Sequence, residues 1–199
     1  MKLFLSYPTK PWKVNQPFGS VSPIYTKLGL KGHNGIDAYC TDSQVVRAAH
    51  DGVVTFTGED GSGGLGVVIR TEEQFDYNDP TFNLQTKQSW YKTVYWHLKP
   101  NTFAVKAGQK VKTGDILARA DNTGLSTGTH LHWGLKPVYK GEEDWNWWNV
   151  EQENGYKGSI DPAPYLNGIY AEDKLKLSLY QQLLLAYQKL LDKMKGRSS

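Results

Sequence analysis

The apolar residues of this chain lie in short runs, and this spacing constrains the fold more than any other feature. VVRAA, GVVTF, GVVIR, TVYWHL and DILARA are separated by clusters of Gly, Asn and Asp, and the chain contains 20 Gly and 9 Pro. Short runs that end at turn-forming residues are typical of β-strands. The sequence therefore predicts an all-β domain with many turns.

The length and the single cysteine set two further limits. A chain of 199 residues with 39% hydrophobic residues can bury one sizeable core but is too short for two full domains. Cys40 is the only cysteine, so the fold does not depend on a disulfide within the chain. We interpret Cys40 as a small, buried hydrophobic residue.

Four of the five histidines fall in three short segments. GHNGIDAY contains His33 and Asp37, VYWHLKP contains His97, and STGTHLHWGL contains His130 and His132. A zinc hydrolase needs three neutral or anionic protein ligands and one open position for water, and this set exceeds that number. The three segments together predict one zinc site.

Strand geometry favours this interpretation. Side chains alternate between the faces of a strand, so His130 and His132 point to the same side. If HNGID is also extended, His33, Gly35 and Asp37 share a face, and Gly35 leaves a gap in which a metal fits. Each segment alone also has an ordinary structural explanation, as a strand histidine or a solvated aspartate. We interpret the fifth histidine, His50, as a turn or strand-end residue outside the site.

These segments resemble the lysostaphin-type zinc metallopeptidases, a family of peptidoglycan endopeptidases with HxxxD, YxHL and HLH elements. The similarity runs from QPFG at 16–19 through HNGID, AAHDGVV, GGLGVVI, VYWHL, VKAGQKVKTGDILA and DNTGLSTGTHLHW to DPAPYL at 161–166. The family's elements occur in the same order here. The resemblance implies an antiparallel β-sheet folded as an open, barrel-like sandwich with long loops.

The resemblance also implies roles for five residues. His33, Asp37 and His132 are the expected zinc ligands, and His97 and His130 are the expected catalytic imidazoles that do not bind the metal. The expected reaction is hydrolysis of an amide bond in peptidoglycan by zinc-activated water, with one imidazole as general base. The sequence does not assign the base to one of the two. The alternatives are a silent binding module and a phage-tail or envelope assembly component in which the peptidase is accessory.

The C-terminal segment differs from the rest. Its apolar residues stand at 177, 180, 184, 187, 191 and 194, which predicts an amphipathic α-helix. We therefore divide the chain into a peptidase domain, 1–168, and a helix with a short polar tail, 169–199. The helix is expected to dock on the domain, pair with a second copy or bind another protein.

Charge and hydropathy exclude some partners. Residues 171–199 hold six Lys/Arg and three Asp/Glu, which gives 6 − 3 = +3, the whole formal net charge of the chain. The peptidase domain is therefore neutral overall, so we expect no nucleic-acid partner. We also expect no membrane span, because no apolar run is long enough.

The N-terminal sequence and two long loops complete the expectations. MKLFLSYPTKPWKV is too short and too broken by proline for a signal peptide. An enzyme acting at the bacterial cell wall would then be phage-encoded, virion-associated or released by lysis.

The segments 71–93 and 141–159, the second rich in tryptophan, are predicted loops and candidate walls of a substrate groove. Local packing of the tryptophans is the alternative.

Overall fold

A computed structural model describes residues 1–77, 88–143 and 147–174, and beyond them residues 176, 179–181, 183, 184 and 187. In chain order the elements are β1 (Leu5–Tyr7), β2 (Val14–Gln16), α1 (Pro23–Lys27), β3 (Ile36–Tyr39), β4 (Val45–Arg47), β5 (Gly52–Glu59), β6 (Leu65–Arg70), β7 (Phe75–Asp76), β8 (Gln88–Trp96), β9 (Lys110–Val111), β10 (Ile116–Arg119), β11 (His130–Lys140), β12 (Trp147–Asn149) and β13 (Leu166–Tyr170). Single turns of 3-10 helix lie at Gly61–Gly63 and Ala163–Tyr165.

One large antiparallel sheet organises the described residues. Its strand order is β2-β3-β11-β8-β6-β5-β9, with β12 paired to β11 and β7 paired to β8. The path has two ends, so the sheet is open and does not close into a barrel. Two small pairs flank it: β4 with β10, antiparallel, and β1 with β13, parallel. The predicted mostly β, antiparallel and open architecture is confirmed.

Strand β11 lies near the middle of this sheet. The alternation of side chains along it explains why this segment forms a strand. Leu131, Trp133 and Leu135 alternate along the strand and are fully buried on the core face. Each buried side chain of this size is worth about 2–3 kcal/mol relative to an exposed one. His132 and Lys136 occupy the opposite face, because successive side chains of a strand point to opposite sides. This second face carries the candidate site.

Both predicted loops contain strand. Residues 88–93 belong to β8, so the first predicted loop is shorter than expected, and residues 78–87 lie outside the described residues. In the second, β12 pairs with β11. Trp147 packs edge-on to Trp90 at 5.2 Å between ring centres, and the Arg70 guanidinium lies 3.8 Å from a Trp147 ring centre. Trp147 is therefore packed locally against the sheet, which was the alternative to a role in substrate binding. Residues 144–146 lie outside the described residues.

The C-terminal segment is helical where the structure describes it, which confirms the predicted helix. Lys10 pairs with Glu172 and Asp173 at 3.3 and 3.1 Å and ties the start of this segment to the N-terminal part of the chain. The predicted boundary after residue 168 falls inside β13, and the division into two parts stays a prediction. None of the described helical residues forms a segment long and apolar enough to cross a membrane.

Candidate metal centre and its groove

Three separate segments converge on the outer face of the large sheet. His33 precedes β3, Asp37 lies within β3, and His132 lies within β11. Asp37 and His132 are directly opposite each other in the antiparallel pair β3–β11. This register brings a carboxylate and an imidazole together, although they are far apart in sequence.

The three groups expected to bind metal meet at hydrogen-bond distance. His33 Nε2 and His132 Nδ1 each lie 3.0 Å from the same oxygen, Asp37 Oδ1, and 2.9 Å from each other. Among the described residues, these three also form the cluster whose side-chain atoms are close enough to hold one metal ion. Two imidazole nitrogens and one carboxylate oxygen are a ligand set that zinc prefers.

Hydrogen bonding aims the free nitrogen of His33 into this cluster. His33 Nδ1 lies 3.1 Å from the backbone oxygen of Pro17, an oxygen that only accepts hydrogen bonds. The proton of the neutral imidazole is therefore on Nδ1, and Nε2 presents its lone pair to Asp37 and His132. Several electron-rich atoms thus face one another within 3.0 Å. A cation at their centre satisfies all of them, so the residues fit a bound metal.

The carboxylate is held in its ionised form. Burial alone would raise the pKa of Asp37, but its close contacts with His132 and His33 and the electrostatic effect of both imidazoles hold that pKa well below its ordinary value. Burial also lowers the pKa of His132, which favours the neutral imidazole that binds metal. Both groups are thus in the protonation states that a metal ligand requires.

Gly35 lets the two ligand segments approach each other. A Cβ atom at this position would lie 2.8 Å from both Cε1 and Nε2 of His132 and 2.8 Å from the backbone oxygen of Trp133. These distances are shorter than van der Waals contact, and the backbone oxygen has little freedom to move. The gap predicted at Gly35 is therefore filled by the ring of His132, one of the expected ligands.

We expect Gly35→Ala to fold but to bind zinc about tenfold or more weakly, because the added methyl group displaces His132 from Asp37. Gly128→Ala is the matched control, since a Cβ there meets nothing within 4 Å. Zinc titration against a competing chelator, with circular dichroism to check the fold, measures the effect. Equal zinc affinity in the two variants would contradict the steric argument.

His97 faces the site from just beyond the end of β8. Its φ of +62° turns the chain out of the strand, so His97 is not the strand histidine that the sequence predicts. Its Nδ1 lies 2.6 Å from the backbone oxygen of Thr123, so this nitrogen donates its proton and leaves Nε2 free. Burial lowers the pKa of His97 to about 4, which keeps the imidazole neutral at pH 7.

His130 begins β11 on the same face as His132, as the alternation predicts. Its Nδ1 lies 2.7 Å from the backbone oxygen of Gly128 and 3.2 Å from Ser126 Oγ. Its Nε2 is 3.6 Å from Asp37 Oδ1, farther than the nitrogens of the two histidines in the metal cluster. The His97 and His130 rings lie 4.6 Å apart, centre to centre. The two expected catalytic imidazoles are therefore neighbours beside the cluster.

The remaining histidine and the cysteine lie apart from the site. His50 is buried, with Nε2 2.8 Å from Thr93 Oγ1 and Nδ1 2.8 Å from the Asp51 backbone oxygen. Cys40 is also buried, which raises the pKa of its thiol to about 12. Both match the structural roles expected from the sequence.

Sequence reasoning missed two aromatic residues at the site. Tyr25 of α1 stacks near His33, with 5.4 Å between ring centres, and lines the same groove. Trp96 stands directly opposite His132 on β8, and its ring covers the backbone of Gly63 and Gly66. The sequence signal for Trp96 was its position next to His97, but strand alternation would have placed the two side chains on opposite faces. Nothing in the sequence places the five-residue α1 against His33.

A groove of about 440 Å³ joins these residues. The candidate metal cluster and both further histidines line it, together with Tyr25, Trp96 and Lys136. The groove is open to solvent along the sheet surface, and Trp96 and Val94 give it an apolar floor.

An open antiparallel sheet that holds a histidine and aspartate cluster of this kind in a groove defines a metallopeptidase. The family described as peptidase family M23 matches residues 31–145, which is more than half of the chain and includes all five candidate residues. The chain belongs to this family, which confirms the resemblance to lysostaphin-type enzymes.

Individual relatives agree with this assignment. The DD-carboxypeptidase/endopeptidase Mpg of Neisseria meningitidis is 33% identical over 122 residues, which cover 61% of this chain and 24% of that protein. The peptidoglycan DD-endopeptidase ShyA of Vibrio cholerae is 30% identical over 137 residues, covering 67% and 27% respectively. A zinc-containing peptidase from Vibrio cholerae has a similar structure, with a TM-score of 0.50, 27% identity, and coverage of 74% of this chain and 39% of that one. The chain thus spans about a quarter of the length of these curated relatives.

Proposed function

We propose that the protein is a zinc-dependent endopeptidase that hydrolyses amide bonds in the cross-links or stem peptides of bacterial peptidoglycan. His33, Asp37 and His132 would hold the zinc ion, and His97 and His130 would act on the substrate. The observation that carries the proposal is the approach of two imidazole nitrogens to one carboxylate oxygen at 3.0 Å, inside an open groove. Zinc bound by such residues supplies Lewis-acid activation of water and of the scissile carbonyl.

The two further imidazoles are prepared for proton transfer. Backbone oxygens of Thr123 and Gly128 accept hydrogen bonds from Nδ1 of His97 and His130, so in the neutral form of each ring Nε2 is the nitrogen without a proton. One of these nitrogens accepts a proton from the attacking water and passes it to the leaving amine. The other, when protonated, donates a hydrogen bond to the developing oxyanion. The hydrogen bonds at Nδ1 are alike in the two rings, whereas the pKa of about 4 favours the neutral form of His97.

The substrate class rests on the relatives. Mpg is named a DD-carboxypeptidase/endopeptidase and ShyA a peptidoglycan DD-endopeptidase. Both names describe peptidases, and the second names cell-wall peptide, so we expect this protein to act at the bacterial cell wall. An open groove with an apolar floor suits an extended peptide segment of the wall. The route to the wall, whether phage-borne, virion-associated or by lysis, stays a prediction.

Digestion of purified sacculi tests the proposed substrate. Sacculi with direct, glycine and other cross-links are treated with the zinc-loaded protein, and mass spectrometry identifies the new amino and carboxyl termini. We expect one type of amide bond to be cleaved, with loss of cleavage after chelation and recovery when zinc is added. Intact sacculi of every type, with cleavage of unrelated peptides, would reject peptidoglycan as the substrate.

Self-association through the C-terminal helix is a second expectation. Tyr180, Leu184 and Tyr187 belong to the predicted apolar stripe, and about half or more of each side chain is exposed. These residues do not dock on the sheet, and exposed apolar stripes of this kind favour association. A second copy of this chain presents the same stripe, so a symmetric helix pair is the simplest arrangement.

We therefore expect the protein to be a dimer and the double variant Leu184→Asp with Tyr187→Asp to be a monomer, because two carboxylates cannot be buried in an apolar contact. Gln181→Asp, on the same helix, is the control and should remain dimeric. Light scattering measures the mass, and zinc content should be equal in all three proteins. A wild-type protein that is monomeric at millimolar concentration would reject the expectation.

A further inference from the structure

A row of cationic side chains crosses the outer face of the sheet at some distance from the candidate metal cluster, and its first member, Lys136, lines the groove. Lys136 on β11 lies directly opposite Lys92 on β8, and Lys92 lies directly opposite Arg70 on β6. All three belong to the face of the sheet that carries His132, because they follow the same alternation. Like charges at directly opposed positions destabilise a sheet, so this row works against folding.

The two lysines of the row are only partly exposed and form no close ion pair with any described residue. Within the described ranges, no carboxylate lies within ion-pair distance of Lys136 or Lys92. The Lys136 ammonium donates one hydrogen bond, 2.8 Å long, to the backbone oxygen of Lys157. Burial and the nearby charges of Lys92 and Lys157 lower the pKa of Lys136 to about 8, although Asp60 opposes this. Burial lowers the pKa of Lys92 as well, with Arg70 adding to the effect.

The ammonium group of Lys136 has hydrogen-bond donors that could bind an anion. An ammonium group carries three donors, and the structure assigns one of them to the Lys157 carbonyl. The side chain lines the same groove as His33 and His132, so an anion bound to it would belong to a molecule lying in that groove. A bound carboxylate would offset the like-charge repulsion within the row and satisfy the remaining donors.

The surface between the metal cluster and this row fits an extended peptide. His132, Gly134 and Lys136 follow one another on β11, and they stand opposite Trp96, Val94 and Lys92 on β8. Gly134 has no side chain to obstruct the groove, and Trp96 and Val94 form an apolar floor. Four residues of strand span about 13 Å, so a peptide cleaved at the metal would reach Lys136 about four residues away.

We propose that Lys136, supported by Lys92, binds a carboxylate of the peptide substrate about four residues from the scissile bond and so selects acidic peptides. This inference rests on the proposed peptidase function. A lysine ammonium is a compact charge that takes either a carboxylate or a phosphate, and the position of the row beside a peptide-sized groove favours the carboxylate.

A pair of matched peptides tests the inference. The two share one cleavable sequence and differ in a single group four residues from the scissile bond, which is a carboxylate in one and a carboxamide in the other. We expect the wild-type protein to prefer the carboxylate by about tenfold or more in kcat/KM, mainly through KM, because a charge-assisted hydrogen bond is lost in the amide. Lys136→Met should cleave both peptides equally, at the rate of the wild type on the carboxamide.

Further variants separate this role from a structural one. Lys136→Arg should keep the preference, and Lys92→Met should weaken it. Lys106→Met is the matched control, because Lys106 is exposed and does not line the groove. Melting temperatures identify any variant that fails to fold. An unchanged preference in folded Lys136→Met overturns the inference while leaving the peptidase proposal intact.

A second measurement does not depend on hydrolysis. Calorimetry of the same peptides with the His97→Ala protein should show tighter binding of the carboxylate, and addition of Lys136→Met should abolish the difference. If the wild-type protein cleaves no peptide, the peptidase proposal fails, and calorimetry alone then decides the carboxylate site. Binding of a glycerol-phosphate polymer through Lys136, with no discrimination between the peptides, would show that the anion is a phosphodiester and that our assignment is wrong.

Discussion

Replacement of His132 by alanine is expected to yield a folded protein that binds zinc about a hundredfold more weakly, loses its zinc during purification and does not hydrolyse peptidoglycan. His132 Nδ1 contacts both other expected ligands, at 2.9 Å to His33 and 3.0 Å to Asp37. Full zinc sites bind with about 10–16 kcal/mol, so one ligand of four contributes about 3 kcal/mol, or about two orders of magnitude in Kd. Hydrolysis should fall to the uncatalysed rate, because no group of the chain replaces Lewis-acid activation.

Elemental analysis of protein purified without added metal measures this result directly. The wild type should carry one zinc ion per chain, and its melting temperature should fall after chelation, since a ligand that binds the native state stabilises it. The melting temperature of His132→Ala should not respond to zinc. His50→Gln is the control, because His50 is a buried histidine whose hydrogen bonds to Thr93 and Asp51 lie outside the site. A wild-type protein with no affinity for zinc would overturn the proposed function.

The sequence predicted the parts of this site that depend on strand alternation. His130 and His132 share one face of β11 and Leu131 is buried on the other, because the period of a strand is two residues. The mostly β fold followed from short apolar runs between turns, and the open antiparallel sheet followed from the resemblance to the family. The prediction that three histidine segments form one site also placed His97 near the other four residues. Strand geometry alone did not predict this position.

The features of the candidate site that the sequence did not predict depend on turns. An extended HNGID would separate His33 from Asp37 by about 13 Å, yet their side chains meet at 3.0 Å, so the chain must fold back before β3. The sharp turn at His97, with φ of +62°, was also not predicted, because a positive φ is uncommon for every residue except glycine, histidine included. The first turn contains Asn34-Gly35, a dipeptide that signals a turn and that the extended interpretation of HNGID did not use, whereas the turn at His97 has no such pattern.

The sequence also did not predict the strand register or the backbone oxygens that accept hydrogen bonds from the histidines. The oxygens of Pro17, Thr123 and Gly128 fix which nitrogen of each histidine is free, but a backbone carbonyl has no signature in the sequence. The cationic row at Lys136 and Lys92 exists only because β11, β8 and β6 pair in one particular register. A shift of one residue would send Lys92 into the core face.

Replacement of His97 or His130 by alanine is expected to separate catalysis from metal binding. Each variant should keep its zinc, because neither imidazole belongs to the cluster of three ligand atoms. Hydrolysis should fall by about a hundredfold to ten-thousandfold, the usual loss when a general acid or base is removed. Zinc content and kcat/KM on the same peptide, measured in parallel, give the result.

Two further variants make this test specific. His97→Asn keeps a residue that tolerates a positive φ, so it separates loss of the imidazole from any change in the turn. Ser126→Ala removes one contact with His130 Nδ1 but keeps the shorter one to the Gly128 oxygen, so we expect kcat/KM to fall by less than about tenfold.

The pH profile then assigns the roles, because the variant that loses the acidic limb of kcat/KM has lost the base. If either alanine variant is purified without zinc, that histidine is a ligand, and the division between binding and catalytic imidazoles must be redrawn.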